Sequence, residues 1–241
     1  MPNSTDMKQR IRDGEILIGV SVPINASKSQ MEDIIGKDDY AFIHTDSQHG
    51  PFNEETLVQF CGYAAELDIP AQFRIKHTRH AYLIGNILDL GPAGIEVPQV
   101  EDLSVAQEAV DYFYYPQFGK RSWGGAARWK VQGREDRLEY AEWWNSHGWL
   151  CLQMESIKAT SDAPQLAMEG VDCLTWGPND LLGDIEKHPK HPFQTVDDCV
   201  QHVLKELEGT TTRVSFRSYD PALRTKYIDM GVTILMENAK P

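Results

Sequence analysis

Residues 149–180, WLCLQMESIKATSDAPQLAMEGVDCLTWGPND, contain two short apolar runs separated by a stretch of helix length. Short apolar runs of this kind predict buried strands, and the stretch between them predicts a connecting helix. A strand, a helix and a second strand in this order are typical of a parallel sheet covered by helices. Both runs lead directly into polar residues, which are Gln153 and Glu155 after the first and Asn179 and Asp180 after the second.

The same alternation recurs along the whole chain of 241 residues, and eight apolar runs can be counted. Eight parallel strands with helices between them are the number that closes a (β/α)8 TIM barrel, and this length is ordinary for one such barrel. We therefore predict one barrel domain over residues 1–241. The eight predicted strands are Ile16–Val20, Tyr40–His44, Ala71–Ile75, Gly94–Val97, Trp149–Met154, Val171–Trp176, Arg213–Phe216 and Val232–Met236.

Start and stop signals predict several of the helices. Asn53 is a good N-cap for a helix that ends near Leu67, and Gly91 follows a predicted helix over Ala81–Leu90. A third helix is predicted over Ser104–Tyr112. The stretch Tyr114–Arg128, YYPQFGKRSWGGAAR, has no clear period and contains Pro and Gly, which predicts a long functional loop.

Composition excludes several classes of partner. The formal net charge is -13, and no run of Lys and Arg offers a local site for phosphate groups, so nucleic acid is not an expected partner. No apolar run approaches the roughly 20 residues of a membrane span, and the polar beginning does not resemble a signal peptide. Four widely spaced cysteines without a C-x-x-C pair predict buried thiols. We expect a cytoplasmic protein.

Polar residues at the ends of the predicted strands are the candidate functional groups, because barrel enzymes carry their active sites at this edge. Glu155 and Asp180 each follow a buried strand, where an unpaired carboxylate is costly. A shared cation would compensate both, and two carboxylates without cysteine favour Mg2+ or Mn2+ over zinc. The alternative is that each carboxylate pairs with an arginine or caps the following helix.

Three further residues near the same edge suggest acid–base and anion-binding chemistry. Arg74, in the third strand, could bind a carboxylate or 2-oxo group through two nitrogens, or could form a structural ion pair inside the barrel. His49 is a candidate general base, with Asp46 near enough in sequence to orient its ring. A histidine in this context could equally be an ordinary loop residue.

With these residues assembled, the chain resembles the HpcH/HpaI family of class II pyruvate-dependent aldolases. The resemblance extends over about residues 16 to 237 and is carried by six motifs in order. These motifs are D-x-Q-H-G-P at Asp46–Pro51, F-R-I at Phe73–Ile75, L-D-L-G-P-A-G-I-E-V-P-Q-V at Leu88–Val100, Y-P-Q-F-G-K-R at Tyr115–Arg121, Q-M-E at Gln153–Glu155 and G-P-N-D-L at Gly177–Leu181.

The resemblance implies a TIM barrel of the phosphoenolpyruvate/pyruvate-domain type, with Glu155 and Asp180 as ligands of a divalent metal and no organic cofactor. It implies that Arg74 binds the 2-oxo acid and that His49 and Asp46 take part in proton transfer. Asp89 matches an acidic position that assists the histidine of a neighbouring subunit. The residues expected to line the substrate, besides Arg74, are Gln153, Gly177, Pro178 and Asn179.

The implied reaction joins pyruvate and an aldehyde into a 4-hydroxy-2-oxo acid through a metal-stabilised enolate, or cleaves that acid. Two other possibilities stay open. One is the same enolate chemistry in a decarboxylase of a 2-oxo diacid or in a CoA-ester lyase, although the acidic chain offers no evident basic surface for CoA. The other is a barrel that binds a 2-oxo acid with weakened catalysis.

Departures from the family pattern occur at a few positions. Gln48 stands where the family usually has Glu, Asn179 where a small residue is usual, and Glu96 replaces an apolar residue of strand four. The family usually continues into a C-terminal helix after strand eight, and the sequence NAKP that follows this strand is expected to lack it. We expect a homo-oligomer and do not assume that it takes the usual family assembly.

Overall fold

A closed barrel of parallel strands forms the centre of the computed structural model, which describes residues 6–240. Each strand pairs with the next, and β8 pairs with β1 to close the sheet. The predicted (β/α)8 fold is therefore confirmed. The strands are β1 (Leu17–Ser21), β2 (Phe42–Asp46), β3 (Ala71–Arg74), β4 (Gly94–Val97), β5 (Trp149–Met154), β6 (Cys173–Trp176), β7 (Arg213–Tyr219) and β8 (Ile234–Glu237).

Helices surround this barrel and connect successive strands. They are α1 (Met7–Asp13), α2 (Lys28–Ile35), α3 (Glu54–Glu66), α4 (Ile84–Leu88), α5 (Leu103–Phe113), α6 (Arg137–His147), α7 (Ile157–Ser161), α8 (Ala163–Leu166), α9 (Pro178–Lys187), α10 (Val196–Glu206) and α11 (Arg224–Met230). Short 3-10 turns at Thr78–Leu83 and Pro221–Leu223 precede α4 and α11. Within residues 6–240, no helix is long and apolar enough to cross a membrane.

The predicted strand boundaries were wrong where strands continue into polar residues. Strand β2 was predicted to end at His44 but extends to Asp46, which pairs in register with Arg74. Strand β7 was predicted to end at Phe216 but extends to Tyr219. In both strands the added residues include polar or charged side chains. Apolar periodicity alone cannot distinguish polar residues at the end of a strand from the beginning of a loop.

The predicted helix signals are confirmed at α3. The Asn53 side chain accepts a hydrogen bond from the Thr56 backbone N–H, and the helix reaches its C-cap at Leu67. The helix predicted over Ala81–Leu90 is instead the 3-10 turn followed by α4, which ends at Leu88. All four cysteines are buried free thiols, as predicted.

The long irregular segment predicted at Tyr114–Arg128 continues to α6, and it packs at the N-terminal edge of the strands. Gly91 precedes β4 and has no room for a side chain, because a Cβ there would lie 2.6 Å from the Cβ of Cys61 and 3.1 Å from the Ala127 carbonyl oxygen. Trp129 of the same segment packs on Trp143 of α6, with ring centroids 5.2 Å apart. Within its own chain the segment therefore lies at the edge opposite the active-site end of a barrel.

Helix α1 is attached to this N-terminal edge by a buried ion pair. The Lys8 ammonium lies 3.2 Å from the Asp172 carboxylate, with side-chain exposures of 2% and 1%. Lys8 also donates to the Tyr114 hydroxyl at 2.5 Å and to the Gly148 carbonyl at 3.0 Å, while Asp172 accepts from the Leu150 backbone N–H. Burial lowers the pKa of Lys8 despite the nearby charge of Asp172.

Removing one partner of this pair is expected to destabilise the fold. Asp172→Ala leaves the Lys8 ammonium buried without its counter-ion, which costs about 3–5 kcal/mol of the free energy of unfolding. Urea denaturation followed by circular dichroism measures this change. The matched control is Glu66→Gln at the exposed Lys28–Glu66 pair, where we expect no measurable shift of the midpoint. Equal midpoints for the Asp172 variant and the original chain would contradict the assignment.

Candidate active site

Four of the predicted site residues meet at the C-terminal edge of the barrel. Arg74 ends β3, Gln153 lies in β5 with Glu155 directly after that strand, and Gly177 follows β6. Arg74, Gln153 and Glu155 are 4%, 0% and 7% exposed. The parallel arrangement brings these side chains together, because all strands of the sheet end at the same edge.

Arg74 is held in place by two partners on neighbouring strands. Its Nε and Nη2 donate to the two carboxylate oxygens of Asp46 at 2.7 and 2.6 Å, and its Nη1 donates to Gln153 Oε1 at 3.1 Å. The ion pair inside the barrel is thus present. A guanidinium has five N–H groups, so one on each terminal nitrogen stays available for an anionic ligand.

Asp46 is an ionised partner of Arg74 rather than a free acid. Burial by itself raises the pKa of Asp46, but the bonds from Arg74 outweigh burial and leave the pKa below its usual value. Asp46 Oδ1 also accepts from the Gln48 backbone N–H at 2.8 Å. His49 follows in the exposed loop after β2. Since Arg74 occupies both Asp46 oxygens, orientation of His49 by Asp46 stays a prediction.

Glu155 and Asp180 form the carboxylate pair at this edge. Burial, followed by the negative charge of Asp180, raises the pKa of Glu155 to about 8. Glu155 Oε2 is buried and has no hydrogen-bond partner within the described residues. Asp180 follows buried β6 but is itself exposed, in the first turn of α9, whereas Glu155 is buried.

This pair suits a hard divalent cation. An orphaned carboxylate oxygen beside a second carboxylate is stabilised by positive charge, and Mg2+ commonly binds through one or two carboxylates while keeping several waters. No group of three or more His, Cys, Asp and Glu side chains converges as a metal site anywhere in residues 6–240. Two carboxylates are compatible with Mg2+ or Mn2+, and the identity of the metal stays a prediction.

Gly177 leaves the space that the Glu155 carboxylate occupies. A Cβ at Gly177 would lie 2.0 Å from Glu155 Oε1 and 2.6 Å from Gln153 Nε2, distances that side chains cannot adopt. Gln153 Nε2 is itself buried and has no partner among the described residues. The absence of a side chain at Gly177 thus allows the Glu155 carboxylate and the Gln153 amide to lie against its backbone.

The beginning of α9 provides backbone donors next to this pair. Gly177 is the N-cap, Pro178 opens the helix and Asn179 is exposed at its first turn. No side chain caps the helix, so its first N–H groups remain available to a carboxylate. The geometry agrees with the expected substrate-lining role of Gly177, Pro178 and Asn179, which stays a prediction.

Asp89 does not lie with the other predicted residues in its own chain. It is the C-cap of α4, and this helix returns from β3 to the N-terminal edge of β4, whereas His49 follows the C-terminal end of β2. Asp89 instead accepts a hydrogen bond from Arg121 at 2.9 Å. Burial raises the pKa of Asp89, while the Arg121 guanidinium opposes this shift.

A buried charged cluster that was not predicted from the sequence lies directly below the site. Arg217 of β7 bonds to Glu96 of β4 and approaches His44 of β2, and all three residues are 1–2% exposed. Glu96 was noted only as a departure from the family, and Arg217 lay just beyond the predicted end of its strand. Strand alternation could have indicated that His44 shares the inward face with Asp46, two residues later, because strand side chains alternate with a period of two. It could not have placed Arg217 in the same way, because the pairing of β7 with β8 is irregular between Arg217 and Tyr219.

A barrel with paired carboxylates and an arginine at the C-terminal edge of its strands is an enzyme scaffold for small anionic substrates. Residues 24–212 match the family described as HpcH/HpaI aldolase/citrate lyase. The chain belongs to this family, and it is a carbon–carbon lyase of the class II aldolase type. Metal dependence is general to the family.

One curated relative is named an aldolase, and two solved structures share the fold of this chain. A protein called 2-keto-3-deoxy-L-rhamnonate aldolase from Salmonella gallinarum (strain 287/91 / NCTC 13346) is 25% identical over 237 residues, with 96% of this chain and 86% of the relative covered. An HpcH/HpaI aldolase from Desulfitobacterium hafniense DCB-2 has the same fold with a TM-score of 0.82 at 21% identity, covering 98% of this chain and 91% of that chain. The structure of the citrate synthase SbnG has the same fold with a TM-score of 0.81 at 22% identity, and the match covers 98% of this chain and 91% of that chain.

Proposed function

We propose that this chain joins pyruvate to an aldehyde to form a 4-hydroxy-2-oxo acid, and cleaves that acid in reverse. The observation that carries the proposal is that a buried carboxylate oxygen without a hydrogen-bond partner, Glu155 Oε2, lies at the same edge as a buried arginine, Arg74, that keeps two free N–H groups. One group suits a cation and the other suits an anion. A 2-oxo acid that becomes an enolate needs both.

Arg74 is the residue proposed to bind the reacting acid. Its free N–H groups would donate to a carboxylate or 2-oxo oxygen of the substrate and would stabilise the negative charge that grows when the methyl proton leaves. Asp46 and Gln153 hold the guanidinium rigid, so little reorganisation is needed during the reaction. Glu155 and Asp180 would hold a divalent metal, which when bound supplies Lewis-acid stabilisation of the same charge.

His49 is the proposed acid–base group. Its side chain is exposed in the loop at the C-terminal end of β2, beside the strand that carries Asp46. A neutral imidazole nitrogen there would accept the methyl proton of pyruvate in the synthetic direction, or the 4-hydroxyl proton in cleavage. Asp46 ends the strand that leads into this loop and accepts from Arg74, so the proposed base and the proposed anion-binding group lie at the same edge of the barrel.

The proposed active unit is a homo-oligomer. Asp89 lies at the opposite edge of the barrel from His49, so a single chain does not bring the two together by its own topology. Asp89 retains 19% side-chain exposure although Arg121 holds one of its oxygens. A neighbouring subunit could therefore meet Asp89 from outside, as the family resemblance implies.

Deuterium exchange into the methyl group of pyruvate tests this function without knowledge of the aldehyde. The chain is incubated with pyruvate in D2O, first with Mg2+, then with Mn2+ and finally with a chelator, and the metal is removed before NMR. We expect exchange with metal and its loss with chelator, because proton removal needs compensation of charge on the enolate oxygen. Absence of exchange with both metals would contradict the proposal and favour a CoA ester or a 2-oxo diacid as substrate.

A further inference from the structure

The charged cluster below the active site crosses the interior of the barrel. Arg217 Nε lies 2.9 Å from Glu96 Oε1, and Arg217 Nη2 lies 2.7 Å from each oxygen of Glu96. The interior of a barrel is ordinarily filled with layers of apolar side chains. A buried ion pair contributes little net stability compared with apolar residues of similar volume, so stability alone does not account for this pair.

The third member of the cluster is neutral. Arg217 Nη2 lies 2.6 Å from His44 Nε2, and because arginine only donates, Nε2 must accept and the ring proton lies on Nδ1. Burial, together with the positive charges of Arg217 and Arg74, holds the pKa of His44 well below its usual value. The charges that remain are therefore one carboxylate on Glu96 and one guanidinium on Arg217.

Glu96 is also placed where Arg74 could reach it. Arg74 and Glu96 are register partners on adjacent strands, and both side chains point into the barrel. Arg74 extends from β3 to Gln153 on β5, and its guanidinium therefore crosses the interior side of β4, the strand that carries Glu96. A buried carboxylate without its own counter-ion at this position would attract the nearest guanidinium, which is that of Arg74.

We propose that Arg217 is a positioning residue that neutralises Glu96 and thereby keeps Arg74 free to bind the substrate. Arg217 contacts both oxygens of Glu96 and thereby compensates the charge of that carboxylate, which weakens its attraction for Arg74. Arg74 then remains on Asp46 and Gln153, with its two free N–H groups at the active site. The inference rests on the proposed function in assigning the substrate to Arg74, and it adds a residue on the opposite strand to the machinery.

The test is a double-mutant cycle in which Arg217→Met, Glu96→Met and the double variant are compared in metal-dependent pyruvate exchange. Arg217→Met is expected to slow exchange by about 100-fold and to raise the pyruvate concentration for half-maximal rate at least about tenfold, because Glu96 competes for Arg74. The double variant removes the competitor as well and is expected to return within about threefold of the original chain. Arg213→Met, on the same strand at the opposite edge, is the matched control and should leave the rate unchanged.

Several outcomes would overturn the inference. If the original chain exchanges and Arg217→Met does so equally well, Arg217 does not protect Arg74 although the proposed function stands. If the double variant is as slow as Arg217→Met, the pair acts through packing rather than through charge. Arg217→Gln takes the place of Arg217→Met if the methionine variant does not fold.

A structural readout is independent of turnover. In a crystal structure of Arg217→Met, or Arg217→Gln, we expect the Arg74 guanidinium to have moved from Asp46 to Glu96. Arg74 remaining on Asp46 and Gln153 would overturn the inference. This readout decides the matter even if the original chain shows no exchange, an outcome that would reject the proposed function separately.

Discussion

Gly177→Ala is expected to remove metal-dependent activity, whereas the same change at Gly183, inside the helix that Gly177 caps, should leave it intact. The new Cβ at Gly177 would lie 2.0 Å from Glu155 Oε1 and 2.6 Å from Gln153 Nε2. Either the carboxylate or the beginning of α9, which carries Asp180, must then move. Because Glu155 and Asp180 are the proposed metal ligands, this displacement changes the distance between the two carboxylates.

The expected size of this effect follows from what the metal supplies. Loss of several kcal/mol of charge stabilisation corresponds to a fall on the order of 10^3-fold in the rate of pyruvate exchange. Calorimetric titration with Mn2+ should show a matching loss of metal affinity. A Cβ added at Gly183 would meet no described atom within 4 Å beyond its chain neighbours and its own helix backbone, so Gly183→Ala is the matched control.

Gly183→Ala also tests whether an alanine in this helix lowers activity simply by destabilising the fold. Alanine is a better helix former than glycine by roughly 1 kcal/mol, so Gly183→Ala should be at least as stable as the original chain. Unchanged exchange and unchanged Mn2+ affinity in Gly177→Ala would show that Glu155 is not constrained by Gly177. Such a result would remove the strongest geometric support for a metal at Glu155 and Asp180.

Arg74→Ala is expected to abolish turnover while leaving the barrel folded. The substitution removes the donors proposed for the 2-oxo acid and leaves the partly buried Asp46 carboxylate without its partner. Loss of one preorganised donor to a developing oxyanion costs about 10^2–10^3-fold in rate, and Arg74 offers two such donors. We therefore expect a fall of at least about 10^3-fold in exchange, measured at saturating metal.

Two comparisons make this result specific. Arg74→Lys keeps a positive charge but cannot hold Asp46 and a substrate oxygen in fixed planar geometry, so it should recover only a small part of the rate. Arg10→Ala, at a partly exposed ion pair on α1, should exchange like the original chain. An Arg74→Ala variant that is folded and fully active would remove Arg74 from the mechanism.

The pattern of apolar residues was enough to predict the barrel. Each strand of a parallel sheet is buried on both faces, so each appears in the sequence as a separate apolar run, and the runs can be counted. The same reading located Glu155 and Asp180 after strands five and six, and Arg74 within strand three. It could not predict that Arg74 donates to both carboxylate oxygens of Asp46 or that Asp180 is exposed. Those facts depend on side-chain directions, which strand alternation restricts but does not decide.

By itself, the sequence determined the strand order, the closure of the barrel and the edge at which the polar residues gather, because these properties follow from local burial patterns and from chain connectivity. Only the tertiary structure decided which charges meet. Glu96 and Arg217 are far apart in the chain, on β4 and β7, and they pair because barrel closure points both side chains into one interior. Whether two charges pair across a closed sheet depends on the distance between them in space, and a local pattern of residues does not encode that distance.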